Sequence, residues 1–447
     1  MKVVIAHKYF YPRDGVTTHV FDLIDLLESH GHTVIPFAMK HPDANFQFPI
    51  SNFQCKELYE KYQQFFVSYI DFNNLQGIRK KIKAFFRMLY SFEAKKKFKK
   101  LILHERPDIV HIHNIYHHLS PSILDVCKDF KIPVVHTVHD YKLICPNYKL
   151  FARGKVDEGC IKGNYFHDAW TGSIKCSVVS GIADALEMII HRAFGLYRNR
   201  INRWIVPSRI VAQKLIEGGL PKKSITVINH FISEKDLPDS RSSTLNLAIE
   251  DPRSSSERSA LVKSDRTDNR KYLLCVGRLS EEKGFDVAIK AMEHLPDCIV
   301  NIVGDGPARA LLEQLAANLG LGDRVRFAGY RSREEVIRLM AFAHLTLVPS
   351  LWHEPFGYVV LESLAVGTPV IGSDRGALPE LLKPISDDLI VPAGDSQALA
   401  ARIEHLLADT SRLHDLSIKG RNNVHAHYSP EGYYTSLMDA YARCLTE

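Results

Sequence analysis

One rhythm runs through this chain twice, interrupted by a serine-rich break. Before the break, Lys2–Ala6, Thr33–Ala38, Asp108–His113, Pro133–Val138, Trp204–Pro207 and Ile225–Ile228 are short apolar runs that read as buried strands. After it, Tyr272–Gly277, Cys298–Val303, Arg324–Ala328, Leu345–Pro349, Thr368–Gly372 and Leu389–Pro392 repeat the pattern. Helical segments fill the gaps. Val20, Leu23, Ile24 and Leu27 share one helical face that Gly31 closes, and Ser332-Arg333-Glu334-Glu335 opens another helix as a capping box. Strand–helix alternation of this kind predicts an α/β chain of two parallel, doubly wound sheets. The break between Ser240 and Ser264 holds eight serines and Asp251-Pro252, and reads as a flexible linker or insertion. The expected domains are therefore 1–235 and 271–429, joined through 236–270.

The length of 447 residues suffices for two cores, and 45% apolar content excludes wholesale disorder. Met1 is followed by Lys2 and a strand, without a leader pattern, and no apolar run approaches about eighteen residues. Neither secretion nor a membrane span is expected. Eight scattered cysteines without a leader predict reduced thiols and a cytoplasmic chain.

The net charge of +6 is unevenly placed. The 22 residues from Arg79 to Lys100 carry ten basic side chains against Glu93 alone, so the remainder is slightly acidic. Ile82, Phe85, Phe86, Leu89 and Tyr90 recur among these charges at helical spacing. That pattern suits a basic amphipathic helix on an anionic membrane, with a solvated face packed on its own domain as the alternative. Nucleic acid is not expected as a partner.

Glu354 and Glu362 stand eight residues apart in His353-Glu354-Pro355-Phe356-Gly357-Tyr358-Val359-Val360-Leu361-Glu362-Ser363. The apolar run before them reads as a strand and Val359–Val366 as the opening of a helix, so both acids sit on a corner where open α/β sheets bind ligands. Carboxylates accept hydrogen bonds only and suit a polyhydroxyl ligand. Phe356, Gly357 and Tyr358 mark the helix start, where backbone N–H groups and the helix dipole favour an anion such as a diphosphate. Gly357 lets the backbone approach closely.

With these residues the chain resembles the retaining GT-B glycosyltransferases of family 4 (group 1). Gly277-Arg278-Leu279-Ser280-Glu281-Glu282-Lys283-Gly284 and Asn301-Ile302-Val303-Gly304-Asp305-Gly306-Pro307 match further family blocks in the expected order. The resemblance implies two Rossmann-like domains facing a central cleft, with a C-terminal helix, residues 430–447, packing back on the first. It implies that Arg278 and Lys283 hold the donor diphosphate beside Gly277, that Glu362 takes the ribose, and that Glu354 takes the donor sugar.

In the first half, His113 and His139 each follow a strand. The resemblance places His139 near the reacting carbon, with Asp140 able to orient its ring. Asp14-Gly15 stands where the family commonly has Gly-Gly close to the phosphate and acceptor, so Gly15 is carried over and Asp14 is not. His19 is a candidate acceptor contact. Cys145, Cys160 and Cys176, with a histidine such as His167, offer a zinc set, but no Cys-x2-Cys pair is present and free buried thiols are the preferred reading.

The absence of an Asp-x-Asp motif, together with two basic residues able to neutralise a leaving diphosphate, predicts an enzyme that needs no metal or other cofactor. No second carboxylate offers itself as a covalent nucleophile. The expected activity is transfer of a sugar from a nucleotide-sugar donor to a glycan or lipid-linked acceptor, in cell-surface polysaccharide synthesis, on the cytoplasmic face of the membrane. A nucleotide-sugar epimerase of the same fold is the alternative. A nicotinamide-dependent oxidoreductase is disfavoured because no Gly-x-Gly-x-x-Gly follows the first strand.

Overall fold

In a computed structural model the described residues are 1–11, 13–43, 53–72, 76–171, 178–233 and 270–446. Their contacts divide the chain into two units. The first comprises 1–150, 157–230 and 433–447, and the second 151–156 and 231–432. The serine-rich break lies wholly outside the described residues.

Six strands form the sheet of the first unit: β1 (Lys2–Ala6), β2 (Thr33–Phe37), β3 (Ile109–Ile112), β4 (Val134–Thr137), β7 (Arg203–Val206) and β8 (Ile225–Val227). All pair in parallel, in the order β2-β1-β3-β4-β7-β8. Two further strands, β5 (Phe151–Ala152) and β6 (Lys155–Val156), make a small antiparallel hairpin that belongs to the second unit. That unit's own sheet joins β9 (Lys271–Val276), β10 (Cys298–Val303), β11 (Val325–Gly329), β12 (Leu345–Val348), β13 (Val370–Ser373) and β14 (Ile390–Val391). Its order is β11-β10-β9-β12-β13-β14, again all parallel. The observed ends lie within two residues of those read from the sequence.

Both sheets are buried on both faces, which is why their strands are continuous apolar runs rather than alternating ones. Each sheet order reverses direction once, between β1 and β3 in the first unit and between β9 and β12 in the second. At such a switch point the crossovers depart to opposite faces and leave a crevice at the carboxyl ends of the strands.

Local chemistry explains the helices that border these crevices. Asp14 caps the Gly15–Ser29 helix, accepting from Thr17 N at 3.0 Å and Thr17 Oγ1 at 2.9 Å. The capping box at Ser332 forms as expected, with Ser332 and Glu335 satisfying each other's backbone donors. The C-terminal helix spans Pro430–Thr446. Within the first unit, its Tyr434 stacks on His30 at 3.7 Å between centroids, and its Tyr441 hydroxyl lies 2.7 Å from His111 Nδ1.

Two expectations are corrected. Cys145 and Cys160 are joined by a disulfide instead of standing as free thiols, and Cys176 lies outside the described residues. Their Cα atoms are 5.4 Å apart, within ordinary bridging distance. The other five described cysteines are unbridged and buried. His167, offered as a zinc partner, instead faces Asp157 at 2.8 Å.

The basic segment is also two helices, Ile78–Leu89 and Phe92–Glu105, not one. Tyr90 is extended, and Ser91 caps the second helix by accepting from Ala94 N. Ala94, Phe98, Leu101 and Ile102 bury that second helix in the unit's core.

Candidate functional site

In the second unit the site is built from the loops after β9, β10 and β12. Gly277 ends β9 with φ of 148° and Gly304 ends β10 with φ of 134°. A Cβ on Gly304 would collide with the Gly277 carbonyl, so the two loops need glycine to lie this close. They are laced together by Leu279 N to Asp305 O at 3.0 Å and Ala308 N to Leu279 O at 2.9 Å. Further on, a Cβ at Gly284 would strike the carbonyl of Pro349 at the end of β12. This close approach carries Lys283 to the switch point.

Lys283 Nζ donates to both oxygens of Glu354, at 3.0 and 2.8 Å. Ser350 Oγ and Trp352 Nε1 add donors to Oε2 at 3.1 and 3.0 Å. The lysine also lies over the Trp352 ring, 5.4 Å from its centroid. Glu354 is only 8% exposed, so its charge is held by these partners rather than by water. Glu362 lies in the second turn of the Tyr358–Ala365 helix, with Arg333 Nε 3.2 Å away. Gly357 precedes that helix with φ of 112°, Phe356 is buried, and Tyr358 is half-buried. Arg278 is exposed. The structure thus joins Lys283 to Glu354 directly, and places Glu362 on a separate ion pair with Arg333.

The first unit assembles a different site. His7 follows β1, His113 follows β3, His139 follows β4 and His230 follows β8, while His19 comes from the Gly15–Ser29 helix. His113 Nδ1 and His139 Nε2 are 2.9 Å apart, and their rings stack at 24°. His139 also stacks with His230, and His19 lies 4.1 Å from His230 between centroids. Nitrogens of His19, His113 and His139 come within 4.8 Å of one another.

Burial keeps these rings neutral. It pulls the pKa of His139 down from 6.5 to about 3, with Asp14 opposing weakly. Burial lowers His7 and His111 to about 3 as well, and drives His19, His113 and His230 well below the usual imidazole range. Asp14 is held below the ordinary carboxylate value: burial raises it, but the two Thr17 hydrogen bonds and the Lys8 ammonium outweigh that. Gly15 is the first helical residue after this cap.

Asp140 does not orient His139. It accepts from Asn114 Nδ2 at 3.1 Å and from Lys142 N at 2.9 Å, and the partner of His139 is His113. Sequence reasoning missed His7, His111, His230, Trp352, Ser350 and Arg333. A histidine within a residue or so of a strand end was the available signal for His7 and His113 alike. Nothing local marks Arg333 or His230.

The family comparisons agree with this architecture. The model described as Glycosyl transferases group 1 matches residues 257–423, and that described as Glycosyltransferase Family 4 matches 13–235. Among solved structures, sucrose-phosphate synthase of Thermosynechococcus elongatus superposes with a TM-score of 0.70 at 20% identity, covering 100% of this chain and 99% of that one. HepE of Anabaena, solved with UDP and glucose, gives 0.66 at 17% identity, covering 99% and 100%. Two doubly wound sheets matched over the full length define the GT-B fold. The chain belongs to the group 1 glycosyltransferases.

Among curated relatives, the lipopolysaccharide core biosynthesis glycosyltransferase LpsE of Rhizobium meliloti is 34% identical over 184 residues, 41% of this chain and 52% of the relative. The alpha-D-kanosaminyltransferase of Streptomyces kanamyceticus is 34% identical over 146 residues, 32% and 38% of the two chains. The chain spans about half the length, or less, of these relatives.

Proposed function

We propose that this protein is a retaining, metal-independent glycosyltransferase that moves a hexose from a nucleotide sugar to a glycan or lipid-linked acceptor. The carrying observation is the Lys283–Glu354 pair at the β9/β12 switch point. An ammonium there offsets the charge that grows on a departing diphosphate. The carboxylate beside it accepts from sugar hydroxyls. Arg278, exposed nearby in sequence, is the second cation for the diphosphate, and Glu362 takes the ribose. The first unit supplies the acceptor side, with His139 as the partly exposed member of its histidine cluster.

Retention follows if the anomeric bond to the phosphate breaks while the acceptor hydroxyl attacks the same face. The hydroxyl proton then passes to the departing phosphate oxygen. A role in cell-surface polysaccharide synthesis is supported by relatives such as LpsE, whose name assigns it to the lipopolysaccharide core. We place the enzyme in the cytoplasm, at an anionic membrane face. Among the described residues no helix is long and apolar enough to cross a membrane.

The deciding experiment is a thermal-shift screen with UDP-, GDP- and ADP-sugars, followed by transfer assays with the sugar nucleotide that raises Tm. Product anomeric configuration by NMR reads out retention. An inverted product overturns the mechanism, and conversion of donor alone, with no acceptor, makes the protein an epimerase.

A further inference from the structure

The Val178–Ala193 helix turns its polar groups inward. Glu187 is 1% exposed and takes Lys142 Nζ at 2.9 Å, and Asp184 lies 3.7 Å from the same ammonium. His117 stands 3.5 Å from Glu187 and 3.7 Å from Asp184. The water side is left apolar. Val179 is 77% exposed, and Ile182, Leu186 and Ile189 continue the same stripe at 37 to 39%. From Val178 to Ile190 no charged side chain is exposed. An ordinary surface helix shows the reverse distribution.

Its packing partner continues the pattern. The Ile78–Leu89 helix lies against it, and His191 is 2.9 Å from the Leu89 carbonyl. Only Ala84 and Met88 of that helix are fully buried. Ile78 and Phe86 are 72% and 63% exposed, and Ile82 is half-exposed. Arg79, Lys80, Lys81 and Lys83 stand exposed among them.

The remaining basic residues of the segment are not equivalent. Lys95 is engaged with Asp125 and the Tyr90 hydroxyl. Lys97 is engaged with Glu93 and the Phe66 carbonyl, and Arg87 with Glu93. Those three hold the unit together, whereas Arg79, Lys80, Lys81 and Lys83, in the first half of the Ile78–Leu89 helix, have open surroundings.

We propose that these two helices form a platform that docks on an anionic lipid bilayer. Branched aliphatic side chains enter the boundary between headgroups and acyl chains, and the basic side chains meet lipid phosphates. Charge and apolarity together select a bilayer as the occupant. A nucleic acid supplies the negative charge but no apolar phase for Val179, Ile182, Leu186 and Ile189. The proposal rests on the membrane partner named above, and not on the transfer reaction.

The test is vesicle co-sedimentation of the full chain with phosphatidylcholine, with and without phosphatidylglycerol, at low and high salt. Wild type is expected to bind only the anionic vesicles. Charge reversal at Arg79, Lys80, Lys81 and Lys83 to Glu should weaken binding by about 100-fold or more, because each basic group near the surface contributes on the order of a fivefold factor. The triple variant Val179→Ser, Ile182→Ser, Leu186→Ser should lose roughly 10-fold or more and abolish any binding that survives high salt, since apolar insertion is not screened. Leu311→Ser, at an exposed leucine of the second unit, serves as a control and should bind as wild type.

Circular dichroism and size-exclusion chromatography accompany every variant. No binding by wild type at low salt overturns the platform, as does equal binding by all variants. A wild-type dimer that the triple variant converts to monomer also overturns it, because a second copy then covers the face. Sugar transfer to a soluble acceptor is followed in parallel: its absence in a vesicle-binding protein counts against the enzyme reading alone.

Discussion

The two units share a sheet plan and fill its switch point with opposite chemistry. At β9/β12 stands an ion pair, a partly exposed ammonium and a buried carboxylate within 3.0 Å. Near β1/β3 stand imidazoles, packed ring on ring and kept neutral by burial. All eight buried histidines among the described residues belong to the first unit. The contrast teaches how one architecture serves two demands. Opposite charges that can be repartnered suit a leaving diphosphate. Neutral donors and acceptors in a dry site suit hydroxyl groups, whose recognition is directional and uncharged.

The sharpest way to break the comparison is at Lys283. Lys283→Ala should lower kcat by about 100-fold or more, as removal of a group that stabilises developing charge does. It also leaves Glu354 with only Ser350 and Trp352, which should cost roughly 1–3 kcal/mol of stability. Steady-state transfer rates and a urea melt measure the two effects separately. A folded variant with near-normal turnover removes the charge role from the second unit.

The second prediction concerns acid. In the native chain His139 takes its proton near pH 3, while in the unfolded chain it does so near 6.5. Between those values the unfolded state binds more protons. Stability is therefore complete above about pH 6.5 and declines as the pH falls toward 3. Between pH 6.5 and 5 a single such histidine accounts for about 2 kcal/mol, and His7 and His111 titrate the same way. Urea midpoints at a series of pH values should show this slope. A flat profile from pH 7 to 5 means that the imidazoles are not buried neutral.

The two glutamates sharpen the comparison within the second unit. Glu362→Ala should weaken UDP, GDP or ADP and the matching sugar nucleotide alike, by about 10-fold, the worth of one charge-assisted hydrogen bond. Glu354→Ala should weaken only the sugar nucleotide. Calorimetry with both ligands distinguishes them, and parallel losses in both variants mean the roles are misassigned. The smallest effect is expected from chelation. EDTA-treated enzyme should keep its rate to within about twofold, on the proposal that two basic side chains rather than a cation meet the diphosphate. Loss of activity restored by magnesium or manganese contradicts that assignment.

Strand positions, the two-sheet plan and the Glu354 corner were legible in the sequence because they depend on local periodicity and on short spacings. An apolar run long enough to cross a sheet is a strand in almost any surroundings that bury it. The capping box at Ser332 is equally local. The Asp14 cap is just as local, an Asp-x-x-Thr pattern that satisfies two donors where the resembled family commonly has glycine.

What the chain order could not reveal lies between distant residues. Lys283 meets Glu354 across 71 positions because glycines at 277, 284 and 304 let loop backbones touch. Five histidines converge from five elements, and only burial, a property of the finished fold, makes them neutral. The Cys145–Cys160 bridge closes because the chain returns its Cα atoms to 5.4 Å. The basic segment divides its labour by packing: Lys95 and Lys97 found carboxylates, and Arg79 to Lys83 did not. The amino-acid sequence by itself determined the periodic elements and the residue types at each sheet end. The tertiary structure alone decided which of those residues are paired, which are dry and which face solvent, since pairing and desolvation depend on distances that no spacing along the chain encodes.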